Sequence, residues 1–278
     1  MKIKNILYLF LLINIAIMPY IFTMEEPAEK QTTQTLRKAI DLDVARFLIA
    51  MSAAYPMPGS EGFTGKINFP AELLDMIAGA IISSKNGEAL LKAFETDDKD
   101  EIEQLLKKRY IDVNVKGKHG WTPLMYASHR RDNIELVQML LKKGANPDMQ
   151  SDIFKMTALA LAAKYNNLEI MELLLNGNAD PNIGDYRVTV ALLMARHPKA
   201  VNMLLDYGAN INQQNVNGNT LLHSAARGYL FEWGPKIVKI LLERGADINI
   251  RNNEGMTVLD EAQDNDEREI IELLTAKQ

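Results

Sequence analysis

HGWTPLMYASHRRDNIELVQMLLKKGANPDMQ, residues 119–150, holds a helix start, two apolar stripes and a glycine stop within a few turns of chain. Thr122 before Pro123 opens a helix: the hydroxyl accepts from a free backbone N–H, and proline at the first helical position loses nothing because its missing N–H had no partner. Leu124 and Ala127 fall on one face of this short helix. Asp132 or Asn133 is placed to cap a second helix, in which Ile134, Val137 and Leu141 recur at i, i+3 and i+7. Gly144 supplies the left-handed residue on which that helix stops.

The unit recurs. Aligned on its threonine, the chain gives Thr122, Thr157, Thr189, Thr220 and Thr257, spaced 35, 32, 31 and 37 residues apart. The second run of each copy ends in a Leu pair: Leu140-Leu141, Leu174-Leu175, Leu204-Leu205, Leu241-Leu242 and, near the C-terminus, Leu273-Leu274. The stop is Gly144, then Asn178, Gly208 and Gly245, and asparagine is the residue other than glycine that best tolerates positive φ. Ala127, Ala162, Ala195, Ala225 and Ala262 keep one place in the first helix small, so that neighbouring helices approach closely. A pair of short helices cannot bury its stripe alone; the next pair has to cover it, which makes the chain a solenoid.

The pattern G-x-T-P-L-x-x-A followed by a helix ending L-L-x-x-G-A-(D/N)-(P/I)-(N/D) resembles the ankyrin repeat. GWTPLMYA with LLKKGANPD, TALALAAKYNNLEIMELLLNGNADPN, LLDYGANIN, and GNTLLHSAARG with LLERGADIN carry the resemblance over residues 118–278. It implies an all-α solenoid of helix-turn-helix units with short β-hairpin fingers. About six repeats are expected: a divergent one at 85–117, then 118–150, 151–184, 185–214, 215–251 and a C-terminal cap at 252–278. The histidine of T-P-L-H, which in the family ties the turns of adjacent repeats, is present only as His223; Met125, Ala160, Leu192 and Asp260 replace it elsewhere, and those junctions are expected to be looser. The third copy is short around His197-Pro198, and the fourth carries an insertion from Tyr229 to Pro235.

The resemblance also implies a function, the binding of a protein partner by a monomer on the concave face made of first helices and fingers. Aromatics and arginines are the usual anchors of such interfaces, so Tyr126, Arg130, Phe154, Tyr165, Tyr186 and Arg187 are the candidate contacts. Trp233, in the insertion, serves either as a local plug or as a contact knob. Ankyrin proteins of host-associated microbes are often turned on host targets, and an Asn-, Ile- and Lys-rich composition fits such a source.

At 278 residues and 47% hydrophobic, the chain has enough apolar material for a substantial core. Its net charge is −5, and without Lys2 and Lys4 the remainder holds 29 basic against 36 acidic residues. That balance argues against a general affinity for nucleic acid or anionic lipid. The chain has no cysteine, so no disulfide, thiol nucleophile or zinc knuckle can form.

Residues 1–24 read as a signal peptide or N-terminal anchor. Two lysines precede an apolar stretch from Ile6 to Phe22, and the acidic Glu25, Glu26 and Glu29 follow, a layout that predicts an exported chain or one held to the membrane by this segment alone. Residues 25–84 are expected to form a helical capping region: one helix over 31–54 with Leu36, Ile40, Val44, Phe47 and Met51 on a stripe, a loop, and another helix from Pro70 to about Ser83. Covering the open end of the repeat stack is their simplest role. A second reading comes from FPAELLDMI, residues 69–77, which looks like the opening of an F-box and implies an adaptor that presents a bound substrate to a ubiquitin ligase.

Catalytic signals are lacking. GSEGFTGK, residues 59–66, places five residues where a phosphate loop needs four and follows its lysine with Ile67. The four histidines show no metal-binding spacing, and the acid pairs Asp97-Asp98 and Asp264 with Asp266 fall in polar connectors. No enzyme, cofactor or metal site is expected.

Overall fold

The computed structural model describes residues 71–184 and 190–277, apart from the side chains of residues 71–78, Ile81 and Phe231. The leader, the stripe over 31–54 and the loop up to Pro70 therefore lie outside the described residues. The chain divides into two compact units, Met1–Ala80 and Ile81–Gln278, and the helix pairs belong to the second.

Twelve helices follow in order among the described residues. They are α1 (Ala71–Thr96), α2 (Lys99–Leu106), α3 (Pro123–Ser128), α4 (Ile134–Lys142), α5 (Ala158–Lys164), α6 (Leu168–Asn176), α7 (Ala191–Met194), α8 (Pro198–Asp206), α9 (Leu221–Ala226), α10 (Gly234–Glu243), α11 (Val258–Asp264) and α12 (Arg268–Thr275). Each first helix packs on the second of its own pair, α3 on α4, α5 on α6, α7 on α8, α9 on α10 and α11 on α12. Between pairs the first helices form one layer, with α3 on α5, α5 on α7 and α9 on α11, and the second helices form another, α2–α4–α6–α8–α10–α12. The stripes meet in one core running from Leu90 to Leu274. Leu175 and Leu242 are buried in it, and Leu141 and Leu205 pack against it half-buried, so the leucine pairs make a continuous spine. The five first-helix alanines, Ala127, Ala162, Ala195, Ala225 and Ala262, are each 0% exposed, which leaves no room for a larger side chain.

Local chemistry explains where the helices begin and end. Thr122 and Thr157 Oγ1 accept from the N–H groups of Met125 and Ala160, at 3.3 and 3.2 Å. Thr257 and Asp260 bond reciprocally, Asp260 Oδ2 accepting from the Thr257 N–H at 2.8 Å and Thr257 Oγ1 from the Asp260 N–H at 3.3 Å. The stops lie in the left-handed region, Gly144 at φ 83°, Asn178 at 63°, Gly208 at 83° and Gly245 at 82°. Asn133 stands at the α4 N-cap, but its side chain makes no capping bond there.

Two expectations are corrected. The helix expected to end near Ser83 continues as α1 to Thr96, so the divergent repeat takes its first helix from the C-terminal half of a longer one. Gly87, inside α1, is a crossing point: a Cβ there would meet Val115 Cγ1 at 2.6 Å and the Asp112 carbonyl at 2.7 Å. Asn86 Nδ2 donates to the Tyr110 carbonyl at 2.6 Å and fixes the same crossing. The fingers, expected as β-hairpins, contain no strand among the described residues. The four described fingers are closed by backbone bonds across their ends, Gly117 N–H to Trp121 C=O at 2.8 Å, Ser151 to Met156 at 2.9 Å, Asn215 to Asn219 at 2.9 Å and Asn252 to Met256 at 3.0 Å.

Between the end of each second helix and the finger that follows, a chain of asparagines and aspartates links the repeats. Within each turn an Asx side chain accepts from the N–H two residues on: Asp112 from Asn114, Asn146 from Asp148, Asp180 from Asn182, Asn210 from Asn212 and Asp247 from Asn249. Between turns the second side chain accepts from the next repeat: Asn114 from Asn146 N–H at 2.7 Å, Asp148 from Asp180 at 2.9 Å, Asn182 from Asn210 at 2.8 Å and Asn212 from Asp247 at 3.0 Å.

Candidate functional site

Fingers and first helices present one face. Adjacent fingers are tied edge to edge, Asp152 N–H donating to His119 C=O at 2.8 Å and Asn253 N–H to Asn217 C=O at 2.9 Å. A row of rings crosses the N-terminal half of this face. Phe94 at the end of α1 stacks on Tyr126 of α3 at 6.3 Å, Trp121 tilts against Tyr126 at 5.1 Å, His129 stands edge-on to Trp121 at 5.7 Å, and Tyr165 edge-on to His129 at 6.1 Å. These are the offset and edge-to-face spacings that ring quadrupoles favour. His129 is oriented by its Nδ1, 2.6 Å from the Tyr126 carbonyl. Burial, and then the nearby carboxylate of Glu95, push the Tyr126 hydroxyl above its ordinary pKa.

Five of the seven anticipated contact residues fall among the described residues. Tyr126 is half-buried within the row. Tyr165 is 44% exposed at its open end, with Lys164 Nζ 5.6 Å from the ring centroid. Phe154 is 58% exposed at a finger tip beside Ile153, and no ring contact joins it to the row among the described residues. Arg130 is not a free anchor: its guanidinium pairs with Asp97 of the preceding repeat. Trp233 lies against His197 at 4.8 Å, beneath Lys236 Nζ at 4.8 Å, half-buried in the second layer's neighbourhood and apart from the row. Tyr186 and Arg187 fall outside the described residues. Phe94, Trp121 and His129 complete the row although only Trp121 carries a sequence signal, its place at a finger exit.

Charge divides this face. From 115 to 165, the fingers, the first helices and the turns that follow them hold Lys116, Lys118, Arg130, Arg131, Lys155 and Lys164 against Asp132 and Asp152. From 251 to 268 they hold Arg251, with Arg268 opening α12, against Glu254, Asp260, Glu261, Asp264, Asp266 and Glu267. At the acidic end Glu261 is 2% exposed and is satisfied by Arg227, whose Nε and Nη2 reach its two carboxylate oxygens at 2.7 and 2.6 Å, and by Asn252 Nδ2 at 2.6 Å. The paired carboxylate raises the Arg227 pKa further above its ordinary value, so the bridge stays charged. Arg227, Tyr229, Glu254, Met256, Glu261, Asp264 and Asn265 line an open recess of about 390 Å³ here.

His223 is the family histidine in place. Its Nδ1 accepts from the Thr220 N–H at 3.3 Å, and its Nε2 reaches the Met256 carbonyl of the next repeat at 3.3 Å. Where Met125 replaces it, the junction is held otherwise: Asn167 Nδ2 donates to the buried Ser128 carbonyl at 2.9 Å. Among the described residues, no group of three His, Asp or Glu side chains is arranged to hold a metal ion.

Comparison with known proteins agrees with this architecture. A family model described as ankyrin repeats, three copies, matches residues 67–151, 98–185, 130–215 and 190–278. The chain is 32% identical over 169 residues to the "Ankyrin repeat, SAM and basic leucine zipper domain-containing protein 1" of Dasypus novemcinctus, which is 58% of this chain and 35% of that protein. It is 30% identical over 185 residues to the "Mitochondrial disaggregase" of Bos taurus, 62% of this chain and 27% of that one. It thus spans about a third or less of the length of these curated relatives. Among solved structures, the ankyrin repeat protein EF0377 superposes with TM-score 0.62 at 30% identity, covering 68% of this chain and 97% of its own. A chain from the complex of the Bdellovibrio bacteriovorus predatory endopeptidase Bd0816 with immunity protein Bd3460 does so with TM-score 0.58 at 29% identity, covering 68% and 98%.

Proposed function

The chain belongs to the ankyrin repeat family, whose members generally mediate protein–protein interaction, and from that premise we propose that it holds a partner protein on its finger and first-helix face. One observation carries this reading: the aromatic row ends in the exposed Tyr165 at the C-terminus of α5, and Ile153 and Phe154 are exposed on the finger before its N-terminus, so large apolar side chains face solvent at both ends of this first helix. No chemistry beyond binding is assigned to it. The basic and apolar layout of residues 1–24 supports export of the chain, so the partner is one met outside the compartment of synthesis.

A photo-cross-linking amino acid placed in turn at Phe154, Tyr165 and, as a control, Glu172 on exposed α6 tests the docking face in cells that express the full chain. Adducts to one protein are expected from the first two sites and not from Glu172; adducts only from Glu172 would transfer the interface to the second-helix side. Fractionation of the same cells tests export, for which the chain must be recovered outside the cytosol.

A further inference from the structure

We propose that the segment seated on the N-terminal half of this face is an acidic stretch of the partner protein bearing a flat side chain; this rests on the docking reading above and specifies its chemistry. In a chain of net charge −5, this half of the face carries six cations against two acids. Four of these eight charges are already internally matched, Lys116 with Asp152, Arg130 with Asp97 and Asp132 with Lys99. Lys118, Arg131, Lys155 and Lys164 have no carboxylate within ion-pair distance among the described residues. All four are exposed. Lys164 and Arg131 both attend Tyr165, the one over its ring and the other through a 3.4 Å bond from Nη2 to its carbonyl. The surface therefore alternates unneutralised cations with ring edges, and its complement alternates carboxylates with a group that stacks.

Nucleic acid shares that chemistry locally but not over the whole face. A uniform polyanion long enough to lie along the fingers runs onto the C-terminal end, where, with Glu261 buried, Glu254, Asp260, Asp264, Asp266 and Glu267 outnumber Arg227, Arg251 and Arg268. A polypeptide can confine its carboxylates to one end.

The probe is a displayed library of random 12-residue peptides, selected on the full chain. Enriched peptides are expected to be rich in Asp and Glu with Trp, Tyr or Phe. The double variant Arg131→Glu with Lys164→Glu should weaken their binding about tenfold or more. Both side chains are exposed, so its thermal midpoint should match the parent's, which separates lost binding from lost fold. Basic or uncharged enriched peptides, or binding indifferent to the double reversal, overturn the proposal while leaving the cross-linking test of the docking face standing. Displacement of the acidic peptides by a single-stranded oligonucleotide at physiological salt overturns it in favour of nucleic acid. Self-association that the double reversal abolishes overturns it in favour of a second copy joined head to tail.

Discussion

Glu261 and His223 are buried ionisable residues of the C-terminal repeats. Glu261 is a buried carboxylate with all its partners in place, so Glu261→Gln leaves Arg227 half-buried against a neutral group and should cost about 3 kcal/mol by urea unfolding. The companion change Glu254→Gln removes an ion pair whose acid is 64% exposed and should cost under about 0.5 kcal/mol. His223, fully buried, has its pKa pushed below 6.5, mainly by desolvation. On acidification the unfolded chain binds this proton first. Its contribution is therefore complete above pH 6.5 and is lost as pH falls from there toward the folded pKa, at no more than about 1.4 kcal/mol per pH unit. His223→Leu should flatten that part of the slope between pH 7 and 5.5 while lowering stability at pH 7, because Thr220 N–H and Met256 C=O lose their partner. At this scale the sequence is legible wherever one residue type answers a local backbone demand, as Thr122 does at a helix start and Asn178 at a left-handed stop. Arg130 and Gly87 are not legible. Their reasons, Asp97 and the Asp112–Val115 crossing, lie 33 and some 25 residues away in the chain.

Among the elements, the short third repeat and the long fourth explain each other. Helix α7 has only four residues, and the next repeat's extra turn, Phe231–Trp233, brings the Trp233 ring against His197 at the head of α8. Leu230 joins the core at 6% exposure, whereas Tyr229 is 60% exposed. Leu230→Ala should therefore cost about 2–3 kcal/mol, and Tyr229→Ala should lie within about 0.5 kcal/mol of the parent in thermal unfolding. Of the two roles the sequence leaves open for Trp233, a plug is the one its contacts fit. The spacing of 31 followed by 37 shows that one copy is short and the next long, but the compensation is spatial and needs the coordinates. The same holds for the aromatic row, whose members come from four segments that periodicity treats as unrelated, and for the fingers, whose turn chemistry is readable while their lack of strand is not.

Among the described residues, the helix pairs pack chiefly on their neighbours in the stack, so stability is distributed along it. Helix α5, with Ala158 to Ala163 all buried between α3 and α7, is flanked on both sides; α12 has one neighbouring pair and a charged outer surface. Hydrogen exchange should find the α5 amides slowest and those of α11 and α12 faster, with Glu261→Gln widening the difference without altering α5. Equal protection throughout would mean a single cooperative unit instead. The Asx chain has a further bearing on how such an array can change. Its rungs span 32, 32, 28 and 35 residues of intervening chain and yet make the same bond each time. Contour length between rungs is thus free while register is fixed, so a whole copy can be spliced in or cut out at any rung and the seam will close, provided the donor brings its own pair of Asn or Asp. Recombination between copies, natural or engineered, can alter the reach of the binding face without designing a new joint.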